Sequence, residues 1–357
     1  MNIDNQTSLK INALRFPLIC TVVFIHMGSN YSSLIVNNKS LASLPFRYIV
    51  YLFTDIIGAT AVPLFFSISG FLFFSNYKPT LQGYFIKIKS RMRSLLLPYL
   101  FWNLSYFLFK LIIQLNPSFS SLVGGSSKRI VDYSLFDYFD ALFGWTTFPI
   151  SYQFWFIRDL IFMIVLSPLI WLLTKHCSWL IVLFFTIIWS LDTTRIMNIH
   201  NETWVFFSLG CLVAIKSWNI DISENKQAVL LKTYAIIVIL AAALAMTNVQ
   251  IYIPSKILTI LGVVTIWYCS GRLIVSKRLK ELLLYMSAYS FFIYAAHEPL
   301  LSILAKLFNK ISFLQNYTAS FLLYFILPIL TIISLWLVGT ILKARIPKFY
   351  NVICGSR

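Results

Sequence analysis

The segment from Ile11 to Gly28 combines an apolar sequence with two side chains suited to anion and proton chemistry. Arg15 and His26 are separated by ten residues, nearly all of them apolar. Eleven positions make almost three helical turns, so both side chains project from one face, about 16 Å apart along the axis. Arginine binds anions, and histidine exchanges protons near neutral pH. The spacing predicts the two ends of a path across a bilayer.

Few other ionisable side chains fall within the apolar stretches of the chain. A charged group at the centre of a bilayer costs about 3 kcal/mol unless it has a partner or water. Asp55 and the Arg158-Asp159 pair fall early in their helices, whereas His297-Glu298 falls at a depth similar to that of His26. We therefore expect these groups to meet near one level of the membrane. From the residues alone, they indicate the intramembrane polar site of an enzyme or a transporter.

The composition identifies the class of protein that must position these groups. Of 357 residues, 59% are hydrophobic and 11% are charged, whereas soluble domains are about 45–50% apolar and about 25% charged. Apolar stretches long enough to cross a bilayer as helices recur along the chain. We expect an all-α, polytopic membrane helix bundle that forms one domain over residues 1–357. The five cysteines are scattered and indicate neither a zinc site nor a disulfide framework.

Hydropathy and charge predict the arrangement of this bundle. Both termini are expected to face the cytoplasm, because clusters of Lys and Arg follow the predicted second, eighth and tenth helices and such clusters favour that side. The same rule accounts for the net charge of +17 without nucleic-acid binding, for which no loop is long enough. The ten predicted spans are 11–30, 48–75, 94–115, 153–174, 178–191, 203–217, 232–249, 254–275, 283–306 and 318–342.

Five sequence blocks, in order, resemble the membrane acyltransferase 3 family, whose members are integral membrane acyltransferases of bacterial surface glycans. Arg15, ten residues and His26 resemble the R-x10-H signature of that family. The other four blocks are VPLFFSISGFLFF (62–74), KIKSRMRSLLLPYLFWN (87–103), FWFIRDLIFMIVLSPLI (154–170) and SFFIYAAHEPLL (290–301). The resemblance covers essentially the whole chain, and the chain resembles the stand-alone form of the family.

The resemblance implies acyl transfer from a cytoplasmic acyl-CoA, usually acetyl-CoA, to a carbohydrate hydroxyl at the outer face, without a metal. His26 would act as the general base, and the acylation of His26 itself is an alternative. His297 or Arg158 would stabilise the oxyanion, and Glu298 or Asp159 would orient an imidazole. Asp55 belongs to the same group of expected substrate-site residues. The residues expected to hold the phosphates of the donor are Arg15, Arg91 and Arg93.

These inferences predict the partners and the location of the protein. The expected partners are the lipid bilayer, acyl-CoA and a carbohydrate acceptor, and the expected location is the bacterial inner membrane. The same intramembrane polar groups would suit a membrane transporter or a polysaccharide export subunit. No internal repeat is visible in the sequence, which argues against the inverted halves of many transporters.

Overall fold

The structure is a computed structural model that describes residues 4–37, 44–116, 128–218, 222–245, 252–309, 311 and 317–355. Its regular secondary structure in these ranges is helical, as the composition predicts. The helices are α1 (Asn5–Asn37), α2 (Leu44–Val50), α3 (Ala61–Phe74), α4 (Leu81–Arg91), α5 (Leu97–Leu115), α6 (Leu135–Phe143), α7 (Trp155–Val165), α8 (Ser167–Cys177), α9 (Trp179–Ser190), α10 (Asn201–Lys216), α11 (Glu224–Ala245), α12 (Tyr252–Cys269), α13 (Lys277–Ser287), α14 (Ser290–Asn309), α15 (Tyr317–Arg345) and α16 (Pro347–Ile353).

Within the described residues, fewer helices are long enough to span a bilayer than the ten predicted. Seven qualify by length and composition, and an eighth is the pair Tyr152–Val165 and Ser167–Cys177, which bends by 69°. The predicted fifth and sixth spans correspond to α9 and α10, whose 12 and 16 residues are too few to cross about 30 Å as straight helices. The seven are Asn5–Gly28, Phe46–Phe74, Leu81–Leu115, Glu224–Leu244, Ser255–Ile274, Ser290–Phe308 and Thr318–Arg345.

The predicted seventh span, 232–249, corresponds to α11, and its residues 246–249 lie outside the described residues. The long apolar helices establish a multi-pass integral membrane protein. The orientation of the termini stays a prediction.

Helix α10 lies in the interior of the protein against α3. A Cβ atom added to Gly70 would come within 2.3 Å of the carbonyl oxygen of Phe207, and one added to Gly210 within 2.1 Å of that of Ser67. The two glycines therefore let the helix backbones approach more closely than larger residues would permit. Most side chains of α10 are buried, which explains how so short an apolar helix is accommodated.

Helix α1 packs against α13, α14 and α15. This arrangement brings the helix that carries His26 beside the helix that carries His297 and Glu298, as sequence depth predicts. Pro299 lies within α14 immediately after Glu298. Because proline lacks an N–H group, the carbonyl four residues earlier, on Ala295, loses its helical partner.

Candidate active site

Gln153 supplies the partner that Pro299 cannot. Its side-chain amide donates a hydrogen bond to the carbonyl oxygen of Ala295, at 3.2 Å. In return, the hydroxyl of Tyr294 donates to the backbone carbonyl of Gln153, at 2.6 Å. These two bonds fix the short 3₁₀ turn Tyr152–Phe154 on α14. A local break in a membrane helix thus positions Tyr152 beside the functional residues of α14.

The hydroxyl of Tyr152 joins His26 to Glu298. Its oxygen lies 2.8 Å from Nδ1 of His26, and it donates its proton to Oε1 of Glu298, which also accepts from Ser302 at 3.1 Å. A phenol has one proton to donate, so with that proton on Glu298 the hydrogen atom between Tyr152 and His26 belongs to Nδ1. Nε2 of His26 then carries the lone pair that a general base requires.

His297 lies beside His26, with a distance of 5.0 Å between the two ring centroids. This confirms the predicted proximity of the two imidazoles, for which a separation within about 10 Å was expected from helix geometry. Nδ1 of His297 lies 2.6 Å from the carbonyl oxygen of Tyr294, which only accepts hydrogen bonds, so this nitrogen carries the hydrogen. Nε2 of His297 is buried without a hydrogen-bonding partner among the described residues.

A cavity of about 540 Å³ is lined by two arginines and by parts of α1 and α14, but His26, His297 and Glu298 are not among its lining residues. Arg15 and Arg91 line one part of it, and its lining includes Val22, one helical turn before His26, and Tyr294, three residues before His297. Its polar lining also includes Asn12, Ser69, Ser90, Ser94, Ser287 and Ser290. The arginines would suit a polyanionic group, and the lining residues Val22 and Tyr294 lie about one helical turn from the two histidines along α1 and α14.

The other predicted site residues lie in different settings. Arg93, in the π-helical segment Met92–Leu96 that joins α4 to α5, is not among the residues that line the cavity. Asp55 is exposed on the short π-helix Tyr51–Ile57. The side chain of Arg158 is buried and directs Nε and Nη2 to Oδ1 of Asp159, at 2.9 and 2.7 Å. These donors contact the protein itself, whereas the sequence predicted a donor that faces the substrate.

Asp159 orients an imidazole, but the ring is that of His200. Oδ2 of Asp159 accepts from the backbone N–H of His200 at 3.0 Å and lies 2.7 Å from its Nδ1. Thr203 donates to the same oxygen at 3.2 Å. Neither His200 nor Tyr152 is predicted from the sequence. Both lie at the start of a helix, whereas the predicted ionisable groups lie within apolar stretches.

The fold and the site define a class of protein: a multi-pass membrane protein with an arginine-lined cavity and with two adjacent histidines on α1 and α14, which border that cavity. The family model described as an acyltransferase domain matches residues 8–338. The chain belongs to this family, acyltransferase 3, and the resemblance inferred from the five sequence blocks is confirmed.

A curated relative extends the similarity over nearly the whole chain. The succinoglycan biosynthesis protein ExoH of Rhizobium meliloti (strain 1021) is 27% identical over 361 residues, which cover 99% of this chain and 94% of that protein. No solved structure matches the chain. Within the described residues, no three His, Cys, Asp or Glu side chains are grouped so that they could hold a metal ion.

Proposed function

We propose that the protein transfers an acyl group, in the first instance acetyl, from a cytoplasmic acyl-CoA to a hydroxyl group of a carbohydrate outside the cytoplasm. The observation that carries the proposal is a cavity lined by Arg15 and Arg91 and by residues of α1 and α14, the two helices that also carry the adjacent His26 and His297. Membership of the acyltransferase family supports the reaction class, and the similarity to a succinoglycan biosynthesis protein supports a polysaccharide acceptor.

The donor would enter with its nucleotide end at the arginines. Arg15 and Arg91 lie together in the cavity lining, where a guanidinium pair suits the phosphate groups of CoA. Arg93 is close in sequence and would add to the positive potential at the entrance. Helix geometry separates Arg15 from His26 by about 16 Å, and an extended pantetheine arm with its acyl group spans roughly the same distance. In the predicted orientation, with both termini cytoplasmic, this entrance faces the cytoplasm.

His26 would act as the general base. Its Nε2 takes the proton of the acceptor hydroxyl as that oxygen attacks the thioester carbonyl carbon, and the carbon–sulfur bond then breaks. The products are an ester on the carbohydrate and the thiol of CoA, which receives the proton from His26. Glu298 acts on His26 through Tyr152, because a carboxylate at the end of this hydrogen-bonded chain stabilises the imidazolium that forms.

His297 would stabilise the oxyanion of the tetrahedral intermediate. Its Nδ1 hydrogen is held by the carbonyl of Tyr294, so only the protonated ring offers an Nε2–H group to the tetrahedral intermediate. A buried Nε2 with no partner among the described residues is suited to a group that binds only during the reaction. Arg158 and Asp159 would act on the acceptor side by holding the loop before α7, and Asp55 is proposed to line the acceptor path.

The test is acyl transfer by the purified protein in detergent, where transport has no meaning. Radiolabelled acetyl-CoA is the donor, and the acceptor is surface polysaccharide from cells that lack the gene, freed of esters with mild base. We expect base-labile label in the polysaccharide with the parent protein and with His176→Ala, which alters an exposed histidine. We expect none with His26→Ala. Equal labelling by the parent and by His26→Ala would refute the mechanism.

A further inference from the structure

The loop between α6 and α7 presents three aromatic side chains at the surface. Trp145, Phe148 and Tyr152 are 56%, 43% and 39% exposed. We call these three side chains the aromatic ledge. Tyr152 also belongs to the candidate active site, where it contacts His26 and Glu298. The loop that carries the aromatic ledge therefore reaches the proposed reacting centre through Tyr152.

A buried carboxylate fixes one side of this loop. Asp140, at the end of α6, accepts hydrogen bonds from the backbone N–H of Thr146 at 2.5 Å and from its hydroxyl at 2.9 Å. The hydroxyl of Thr147 donates to the same carboxylate at 2.6 Å. Gly144 begins the turn with φ of +62°, a left-handed conformation that glycine adopts at little cost.

A buried guanidinium fixes the other side. Nη1 of Arg158 donates to the carbonyl oxygens of Gly144 and Thr147, at 2.7 and 3.1 Å. The side-chain amide of Asn198 donates to the carbonyl of Trp145. The backbone on both sides of Trp145 is thus held by the buried guanidinium of Arg158 and by the half-buried amide of Asn198.

The ring of Phe148 is part of an ordered stack. It lies against the ring of His200, at 5.7 Å between centroids, and the guanidinium of Arg195 is 5.3 Å from its centre. The ring of His200 also lies against that of Trp155, at 4.2 Å between centroids. The stack places a cation and an imidazole beside the exposed aromatic rings.

We propose that the aromatic ledge, with Trp145 as its most exposed ring, binds the acceptor carbohydrate by stacking against the apolar C–H face of a sugar ring. This inference rests on the proposed function, since it identifies where the acceptor of that reaction binds. Sugar rings combine a C–H face with hydroxyl groups, and the ledge combines aromatic faces with the polar groups of His200 and Arg195. Of the three rings, Tyr152 is the one that contacts His26, which links the ledge to the reacting centre.

The rigidity of the loop distinguishes this role from that of an interfacial belt. A tryptophan that only anchors a protein at the membrane surface needs an apolar body and a polar edge, and its backbone need not be fixed. Here a buried carboxylate and a buried guanidinium, groups that are costly to remove from water, hold the backbone that carries Trp145. Such preorganisation lowers the entropic cost of binding a ligand.

The experiment compares Trp145→Leu, Trp145→Tyr and the matched control Trp179→Leu, which changes a tryptophan 58% exposed at the start of α9. Acetyl transfer is measured against the concentration of the de-esterified surface polysaccharide, and CoA affinity is measured by calorimetry. We expect Trp145→Leu to raise the acceptor KM about tenfold with little change in kcat or CoA affinity. Trp145→Tyr should stay within about threefold of the parent, because an aromatic face remains.

Two results would overturn the proposal: an acceptor KM for Trp145→Leu that stays as close to that of the parent as the KM of Trp145→Tyr, or a loss of CoA affinity that matches the loss of transfer. The first would show that apolar contact suffices, as for a membrane anchor, and the second that the position serves the fold or the donor. If the parent protein itself transfers no acetyl group, the proposed function fails instead. Quenching of tryptophan fluorescence by the polysaccharide, lost in Trp145→Leu and kept in Trp179→Leu, then tests the aromatic ledge separately.

Discussion

The rings of His26 and His297 lie 5.0 Å apart, although one belongs to the first helix and the other to α14 near the end of the chain. Each ring has its Nδ1 hydrogen committed, one to Tyr152 and the other to the carbonyl of Tyr294. In both rings Nδ1 therefore carries the hydrogen and Nε2 carries the lone pair, and the two rings lie side by side. This relationship generates the first two predictions.

His26→Ala should abolish acyl transfer and leave the donor site intact. Loss of a general base typically lowers the rate by about 10²–10⁴-fold. CoA affinity, measured by calorimetry, should remain close to that of the parent, because Arg15 and Arg91 are unchanged. Transfer within a few-fold of the parent would leave His26 only a packing role.

Tyr152→Phe should lower kcat by about 10–100-fold, since it removes the hydrogen bond through which Glu298 acts on His26. Glu298→Gln should have a similar effect. Because both act through one hydroxyl, the double variant should be little worse than either single variant, a coupling that independent structural defects would not produce. If the losses of kcat in the two single variants multiply in the double variant, Glu298 does not act on His26 through Tyr152.

Arg15→Ala and Arg91→Ala should each weaken CoA binding by about 10–100-fold, since each removes a charged donor from the cavity. Arg15→Lys should restore the affinity only in part, because an ammonium group does not reproduce the planar guanidinium. Arg93→Ala, which changes a residue outside the cavity lining, should have a smaller effect. Calorimetric titration with CoA ranks the variants, and an Arg93 effect as large as that of Arg15 would contradict the placement of the phosphates.

Gln153→Leu should destabilise the protein by about 1–3 kcal/mol, because it leaves the buried carbonyl of Ala295 without a partner. Pro299→Ala in the same chain should recover much of that loss, since alanine restores the N–H group that the carbonyl lacks. The thermal midpoints of the single and double variants in detergent measure both effects. If Pro299→Ala brings no recovery, the pairing of Gln153 with the break in α14 is not what stabilises this region.

Asp140→Asn should loosen the loop that carries Trp145. Partial burial raises the pKa of Asp140, but hydrogen bonds from Thr146 and Thr147 outweigh it and lower the pKa below 3.8. Because the pKa is lower in the folded state, the ionised carboxylate of Asp140 stabilises the fold at a pH above the unfolded pKa. This stabilisation is lost as the pH falls through the folded pKa. Hydrogen–deuterium exchange of residues 144–152 at neutral pH should increase in Asp140→Asn and should not change in Asp132→Asn.

Those parts of the site that depend on helical periodicity and on depth along a helix could be predicted from the sequence. The positions of His26 and His297 along membrane helices, counted from the cytoplasmic side, were sufficient to expect their meeting, and Arg15 and Arg91 line one cavity. Short and bent helices were harder to predict. A hydropathy pattern does not reveal the 69° bend after Val165, and it makes α10 resemble a span although α10 is an interior helix.

Contacts between distant loops and helices could not be predicted from one sequence. Tyr152 reaches Glu298 only because Gln153 pairs with a carbonyl that Pro299 leaves free, and nothing local to Tyr152 signals this. Asp159 was selected because buried carboxylates need partners, but the identity of the partner, His200, depends on how α7 and α10 meet. Residue type indicated that a contact was needed, whereas the fold decided which one was made.

The close approach of α3 and α10 at Gly70 and Gly210 also bears on how the protein is made. Helix α10, with 16 residues, is shorter than the about 20 residues that a membrane-spanning helix needs. The ribosome synthesises α3 more than a hundred residues before α10. The packing of α10 on α3 therefore forms only after the intervening chain has been made, and a larger residue at either glycine would obstruct this late step of assembly.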